Sequence, residues 1–268
     1  MIKRTECMSR ARCALFMLLF TATLTILPVV LNGLTPTIKV EAQSPSEDAS
    51  NVYDSKTLNL GNSIKNLAIL IPNEAHESQY PGDTTAEDRH INQPYVPQNA
   101  TVSKGTSVVW FNGDVDHDHK ITLTGQGAIP GSQVFDSSVF EFNTVSQPIT
   151  MNDTGSFRYF EADVNEEDPD FVMDGTINVV DQSNGVTFPA STNIDTVGTL
   201  MVSTGDLATH QADLENSGFT ILGTHNFNDI RGGDPQTLIV WGASASGTNS
   251  MEDIVSQLSQ ITSTLPYG

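Results

Sequence analysis

The residues best suited to chemistry are histidines and carboxylates in the middle of the chain. His117 and His119 form an H-x-H pair, and alternation along an extended chain points side chains two apart to one face. Imidazole and carboxylate ligands suit Cu(II) and Zn(II), and two imidazoles on one face are a common start for a type 2 copper or zinc site. The sequence therefore predicts a metal site centred on His119 first and His117 second.

Further donors for this site would come from other segments. Glu161 would add a carboxylate, and His90 or His76 would add a third imidazole from residues 73–92. The same residues leave an alternative open, in which His117 lies in an exposed turn and His119 is buried and hydrogen-bonded without a metal. A lone H-x-H pair does not decide between these two interpretations.

The sequence does not match the motifs of other common functional sites. Asp114, Asp116 and Asp118 alternate as in a calcium loop, but the sixth position lacks Gly and the twelfth is Gly125 where Glu is required. There is no G-x-S-x-G nucleophile motif and no P-loop. Nothing identifies a substrate, so an enzyme is not favoured.

The N-terminal segment carries the signals of export. Basic residues precede the apolar run 14–27, and Val40-Glu41-Ala42 fits a signal-peptidase site. We expect residues 1–42 to be a signal peptide, and the protein to lie outside the cell or in its envelope. An uncleaved membrane anchor is the alternative, because apolar character continues to Leu31. Cys7 and Cys13 both precede the apolar run, so the exported part has no thiolate for a metal or a disulfide.

The charge balance limits the partners. The 268 residues include 12 Lys and Arg against 32 Asp and Glu, a net charge of −20. Removing residues 1–42 takes away five basic and two acidic residues and moves the net charge to −23. So acidic a chain is not expected to bind nucleic acid, or anionic membranes except through an uncleaved anchor.

Short strand-like segments follow a Ser- and Asn-rich stretch, predicted to be a flexible tether over 43–63. They are 66–72, 100–105, 106–112, 120–124, 139–142, 148–151, 155–160 and 176–180. Several short strands bounded by turn residues indicate a mainly β fold, an antiparallel sandwich or barrel. We therefore predict a first domain over 64–182.

The pattern changes after a predicted linker over 183–196. A strand at 199–202 precedes a helix from an Asp206 N-cap to about Asn216, with Gly218 after its end. Strands at 219–227 and 237–241 follow, then a helix at 251–264 with an apolar stripe of Ile254, Leu258, Ile261 and Leu265. The β-α-β-β-α order is typical of a ferredoxin-like unit without its last strand. We predict a small α+β domain over 197–268, whose open edge favours a protein partner or self-association.

An ordered set of apolar, aromatic and turn residues runs through the first predicted domain. It includes Pro97, Val102, Gly105, Val108, Trp110, Asn112, Asp114, His119, Ile121, Phe135, Asp136, Phe140, Phe142, Gly155, Phe157, Tyr159, Met173, Gly175, Ile177 and Val179. In this order the residues resemble a cupredoxin, the plastocyanin and azurin type of blue-copper domain. The resemblance implies a Greek-key β-sandwich with copper as cofactor, held by His, Cys, His and a weak axial Met.

Carried over residue by residue, the resemblance implies a degenerate copper site. His119 falls at the first His and Met173 at the axial Met, while the Cys position is Glu161 and the second His position lies near Val164. Without the thiolate, a normal type 1 copper site is excluded. Two functions are favoured: metal holding or delivery through a non-blue copper site, or a metal-free scaffold for protein interaction at the cell surface. Electron transfer or a copper enzyme is a less favoured third function. The candidate metal ligands are His119, His117, His90, Glu161 and Met173.

Overall fold

The computed structural model describes residues 57–73, 75, 93–115, 117–126, 130–161, 173–188, 193–227, 235–244 and 251–262. The strands there are β1 Thr57–Asn59, β2 Asn66–Ile71, β3 Asn99–Ser103, β4 Ser107–Asn112, β5 Ile121–Gln126, β6 Pro130–Asp136, β7 Ile149–Thr150, β8 Gly155–Glu161, β9 Asp174–Val180, β10 Thr196–Ser203, β11 Thr220–Phe227 and β12 Gln236–Ala243. The helices are α1 Leu207–Asn216 and α2 Met251–Thr262. The predicted mainly β class with a smaller α+β part is confirmed.

The first sheet has the order β1-β3-β9-β8-β5-β6. β3 lies parallel to both β1 and β9, whereas β9, β8, β5 and β6 pair antiparallel. Buried and partly exposed side chains alternate along β9, so one face of the sheet packs inward at this strand and the other is more exposed to solvent. The candidate site residues His119 and Glu161 lie beside or on the antiparallel strands β5 and β8.

The second sheet has the order β11-β12-β10-β2-β4-β7. β2 lies between two parallel neighbours, β4 and β10, and five of its six residues are buried. A continuous apolar run such as Leu67–Ile71 is typical of a strand buried between parallel neighbours, since neither face of it meets water. The sequence predicted an antiparallel sandwich or barrel, and the structure differs in that both sheets are mixed.

The two sheets share one apolar core. Trp110 on β4 and Tyr159 on β8 lie with ring centroids 5.2 Å apart, and Tyr95 meets Tyr159 edge-on at 4.8 Å. All three side chains are fully buried. Aromatic contacts of this kind join a strand of one sheet to a strand of the other.

The C-terminal elements follow the predicted β-α-β-β-α order. Ile254, Leu258 and Ile261 are buried along α2, as the apolar stripe predicted, and Gly218 has a φ of 88° just after α1. Asp206 precedes α1 but makes no side-chain cap hydrogen bond. β10 pairs with β2 through Thr196–Gly198, so these strands continue the sheet that contains β2 and β4.

The connecting segments differ from the predictions in three places. β1 lies inside the segment predicted as a tether, because the alternating Leu58 and Leu60 are buried against the core. The predicted strand 139–142 is reduced to one bridge between Phe140 and His119. β6 was not predicted, since its first residues lack apolar alternation.

The predicted signal peptide and most of the predicted tether lie outside the described residues. Within the part of the chain that the structure describes, no helix is long and apolar enough to span a membrane.

Candidate functional site

His119 lies at the entrance to β5, where its backbone is fixed on both sides. Its N–H donates to the Phe140 carbonyl at 3.1 Å, and its carbonyl accepts from the Phe140 N–H at 3.0 Å. The Phe140 ring lies 6.5 Å from the imidazole, centroid to centroid. The His119 side chain is 1 % exposed, so its environment is made by the protein and not by water.

A carboxylate faces each ring nitrogen of His119. The Oε2 atom of Glu161, at the end of β8, lies 3.1 Å from Nδ1, within hydrogen-bond range. The Oδ2 atom of Asp114, just beyond β4, lies 3.4 Å from Nε2, which is long for a hydrogen bond and is better described as an ion-pair contact. Glu161 also accepts the Lys120 N–H through Oε1 at 2.8 Å.

The second oxygen of Asp114 extends the cluster toward solvent. Its Oδ1 lies 3.5 Å from Nδ1 of His117, whose side chain is 42 % exposed. The Asp114 and Glu161 side chains are 0 % and 2 % exposed. We use "ion cluster" for Asp114, His119 and Glu161, with His117 at its outer end.

Asn112, the last residue of β4, holds the loop that carries the ion cluster. Its Oδ1 accepts the Asp114 N–H at 2.8 Å, and its Nδ2 donates to the His117 carbonyl at 2.8 Å. The Nδ2 group also reaches the Phe140 carbonyl at 3.4 Å. A local side-chain bond to the backbone two residues on is the usual way Asn fixes a turn. Asn112 therefore sets the positions of Asp114, His117 and Phe140 together.

The two carboxylates determine the protonation of His119. Burial by itself lowers the pKa of His119, but its contacts with Asp114 and Glu161 and the attraction of both negative charges outweigh it and raise the pKa from 6.5 to about 9. At neutral pH His119 is thus an imidazolium between two carboxylates.

Two fully buried tyrosines, Tyr95 and Tyr159, have raised pKa values. Burial, and then the negative charge of Glu161, raises the pKa of Tyr95 well above its usual range. Burial, and then the charge of Asp174, does the same for Tyr159. Both phenols stay neutral, and Tyr159 donates its hydroxyl to the Gln98 carbonyl at 2.8 Å.

The structure brings together some of the predicted ligands. His119 and Glu161 are in direct contact, and His117 joins them only through Asp114. Met173 is buried, and its carbonyl accepts the Glu161 N–H at 3.2 Å. His90 and His76 lie outside the described residues. His119 is buried and hydrogen-bonded, and its two predicted roles, as a metal ligand or as a metal-free side chain, both stay predictions.

The donor set does not fit the copper centre that the cupredoxin resemblance implies. Nδ1 of His119 and Oε2 of Glu161 are 3.1 Å apart, close enough to bind one ion. Asp114 faces the other ring nitrogen, however, and the two nitrogens of an imidazole point away from each other, so Asp114 cannot share that ion. Zinc sites use three or four protein ligands, and no three His, Cys, Asp or Glu within the described ranges form a metal-binding group.

The role of Asp114 as a partner of His119, and of Asn112 as the residue that orients it, was missed from the sequence. The available signal was their spacing, since Asn112-x-Asp114 ends three positions before His117 of the H-x-H pair. An Asn two residues before a carboxylate indicates a turn that holds that carboxylate close to the next few residues of the chain.

No family model matches the chain, and no curated protein matches it. Solved structures with similarity to it include a purple cupredoxin from Nitrosopumilus maritimus, at 18 % identity over 42 % of this chain and 99 % of that one, with a TM-score of 0.28. Reduced rusticyanin is 12 % identical over 47 % of this chain and 85 % of its own, with a TM-score of 0.29.

A reduced amicyanin variant is 14 % identical over 31 % of this chain and 70 % of its own, with a TM-score of 0.25. These neighbours are cupredoxins, the family that the sequence resembles. At such identities and TM-scores they transfer no ligand and no activity to this chain.

Proposed function

We propose that the protein is an exported, cupredoxin-like structural module in which an ion cluster stands where a cupredoxin would hold copper. One observation carries the proposal: both ring nitrogens of His119 face carboxylates, Glu161 at 3.1 Å and Asp114 at 3.4 Å. A histidine protonated on both nitrogens has no lone pair to offer a metal.

The ion cluster links the two sheets. Asp114 follows β4 of the second sheet, whereas His119 lies two residues before β5 and Glu161 ends β8, both strands of the first. A buried charge is tolerated where it is paired and hydrogen-bonded, and removing one partner is costly. We infer that the cluster fixes the loop between β4 and β5 against the end of β8, with no need for a metal.

Export is supported by the sequence of residues 1–42. The net negative charge of the exported part favours solubility and repels anionic polymers.

Contact with another protein is the proposed role of the C-terminal elements. β11 is one of the two end strands in the order of the second sheet, and an end strand is the position that a partner or a second copy extends in β-augmentation. Light scattering tests self-association: a dimer supports it, and a strict monomer across concentrations contradicts it.

Metal titration tests the metal-free role. Residues 43–268, which lack cysteine, would be titrated with Cu(II) and Zn(II) by calorimetry, and the copper sample followed by EPR. We expect no stoichiometric binding by the wild type, by His119→Ala or by the control His225→Ala. One equivalent bound by the wild type and by His225→Ala, but not by His119→Ala, would contradict the proposal. That result would support the non-blue, thiolate-free copper site predicted from the sequence, with a role in metal holding or delivery.

A further inference from the structure

Two Asn-x-Thr sequences occur in the exported part of the chain, Asn99-Ala100-Thr101 and Asn152-Asp153-Thr154. Asn-x-Thr is the acceptor pattern for N-linked glycans on surface segments of exported proteins. From the structure we propose that Asn152 is a glycan acceptor and that Asn99 is not. The proposal rests on the proposed export, because glycan transfer takes place after translocation.

The Asn152 sequence projects from the surface between β7 and β8. Residues 152–155 are all exposed, and they follow the buried Met151. Met151 is tied to the adjacent turn by two backbone hydrogen bonds, to Thr106 at 2.9 Å and from Gly105 at 2.8 Å. The connection therefore has a fixed base and an exposed tip, which a modifying enzyme can reach in the folded protein.

The Asn99 sequence lies inside a sheet. Asn99 is in register with Thr57 of β1 on one side and with Thr176 of β9 on the other. Asn99 and Thr101 are half-buried, and Ala100 is buried. Because the backbone of β3 is paired on both sides in the folded protein, an enzyme that acts on the folded protein cannot draw this segment into an active site without opening the sheet.

The transfer joins the Asn152 side chain to a sugar. The donor is an oligosaccharide linked through its first sugar carbon to a lipid phosphate. The bond from that carbon to the phosphate oxygen breaks, a bond from the carbon to the Asn152 amide nitrogen forms, the amide loses one proton, and the lipid phosphate leaves. No oxidant or reductant is needed.

The position also determines what a glycan would cover. Asn152 precedes the first residue of β8, Gly155, and Glu161 is the last of its seven residues. At about 3.3 Å per residue, roughly 20 Å separate the two ends of the strand. A glycan on Asn152 therefore lies at the end of the sandwich opposite the ion cluster, and shields the β7–β8 connection without covering His117.

Expression of the full chain in a eukaryotic secretory host tests the inference. Protein from the medium and from the cells would be compared before and after peptide N-glycosidase, and site occupancy measured by mass spectrometry of the proteolytic peptides. We expect a glycan on Asn152 that is lost in Asn152→Gln and in Thr154→Ala. The matched control Asn99→Gln should keep the glycan.

The possible failures are distinguishable. Secreted protein with an unmodified Asn152, or with Asn99 occupied to an equal or greater extent, would overturn the inference and leave the proposed export standing. A chain that stays in the cytosol without any glycan would overturn the export and the inference together.

Discussion

The ion cluster and the C-terminal part of the second sheet are both buried, but they are buried by different means. Around His119 the interior holds one cation and two carboxylates within 3.4 Å of it. Around Trp241 on β12 it holds apolar groups: Phe219 meets the indole edge-on at 5.2 Å, and a β-carbon on Gly198 would clash with the ring. The stability of the ion cluster depends on the ionisation of its side chains. The stability of the region around Trp241 depends on how completely apolar side chains fill its volume.

This difference implies that the two regions respond to different perturbations. Apolar packing loses free energy roughly in proportion to the volume removed, and pH does not change it. A buried ion cluster stabilises the fold only while each charge keeps its partners. A change of pH, or the loss of one charged group, therefore lowers its contribution to the free energy of unfolding.

The largest effect is expected from the apolar region. Trp241→Ala should lower the free energy of unfolding by about 3–5 kcal/mol, because it removes a fully buried ring that the sheet cannot collapse to fill. Urea unfolding at pH 6 and at pH 9.5 should give the same loss. Trp241→Phe is the control, and it should cost less, since the indole N–H has no hydrogen-bond partner among the described residues. A loss of unfolding free energy that differs between pH 6 and pH 9.5 would contradict the distinction between the apolar and the charged region.

Glu161→Ala should cost about 3 kcal/mol at pH 7, since it leaves the His119 cation with one counter-charge and the Lys120 N–H without its acceptor. The matched control is Asp174→Asn, which breaks the Arg158–Asp174 pair. That pair is short at 3.0 Å, but its side chains are 50 % and 42 % exposed. An exposed pair contributes less than about 1 kcal/mol. Equal losses of unfolding free energy in the two variants would show that the buried ion cluster stabilises the protein no more than an exposed ion pair does.

The pH dependence separates the regions directly. The pKa of His119 is about 9 in the folded protein and near 6.5 when unfolded. The stability that protonated His119 contributes is therefore fully present below pH 6.5, declines as pH rises and is lost above pH 9. The full change is about 3 kcal/mol by linkage. Chemical unfolding from pH 6 to pH 10 should show this decline in the wild type and a flatter profile in His119→Ala; equal slopes would contradict it.

The smallest effect concerns the contact of helix α2 with Asn143, whose backbone N–H donates to the Asn112 carbonyl beside the ion cluster. Ser259 on α2 donates its hydroxyl to the Asn143 carbonyl at 2.7 Å, and its own carbonyl accepts from the Asn143 amide at 2.6 Å. Asn143 has a φ of 61°, which Asn tolerates better than most residues. Ser259→Ala should cost about 1 kcal/mol, measured by thermal unfolding, and should leave the pKa of His119 unchanged. A shift in that pKa would show that α2 acts on the ion cluster.

The sequence predicted the apolar region better than the charged one. The stripe Ile254, Leu258 and Ile261 identified α2, because a helix repeats its buried face every three or four residues. The apolar run of β2 identified a strand, although not its parallel neighbours, which depend on how distant segments assemble.

The ion cluster could not be predicted in the same way. His119 and Glu161 are 42 positions apart, and no periodicity relates them. The cupredoxin resemblance placed both residues at one site, but it implied a metal between them. The Asn112-x-Asp114 spacing indicates a turn, but not that the turn would bring Asp114 to the second ring nitrogen of His119, which depends on the folded backbone.

The protonation state of His119 tests the central claim most directly. Nuclear magnetic resonance of the ¹⁵N-labelled protein reports whether each ring nitrogen carries a proton. We predict that both His119 nitrogens are protonated at pH 7 and that the ring titrates with a pKa of about 9. A neutral His119 at pH 7, with one nitrogen free to bind a metal, would contradict the account.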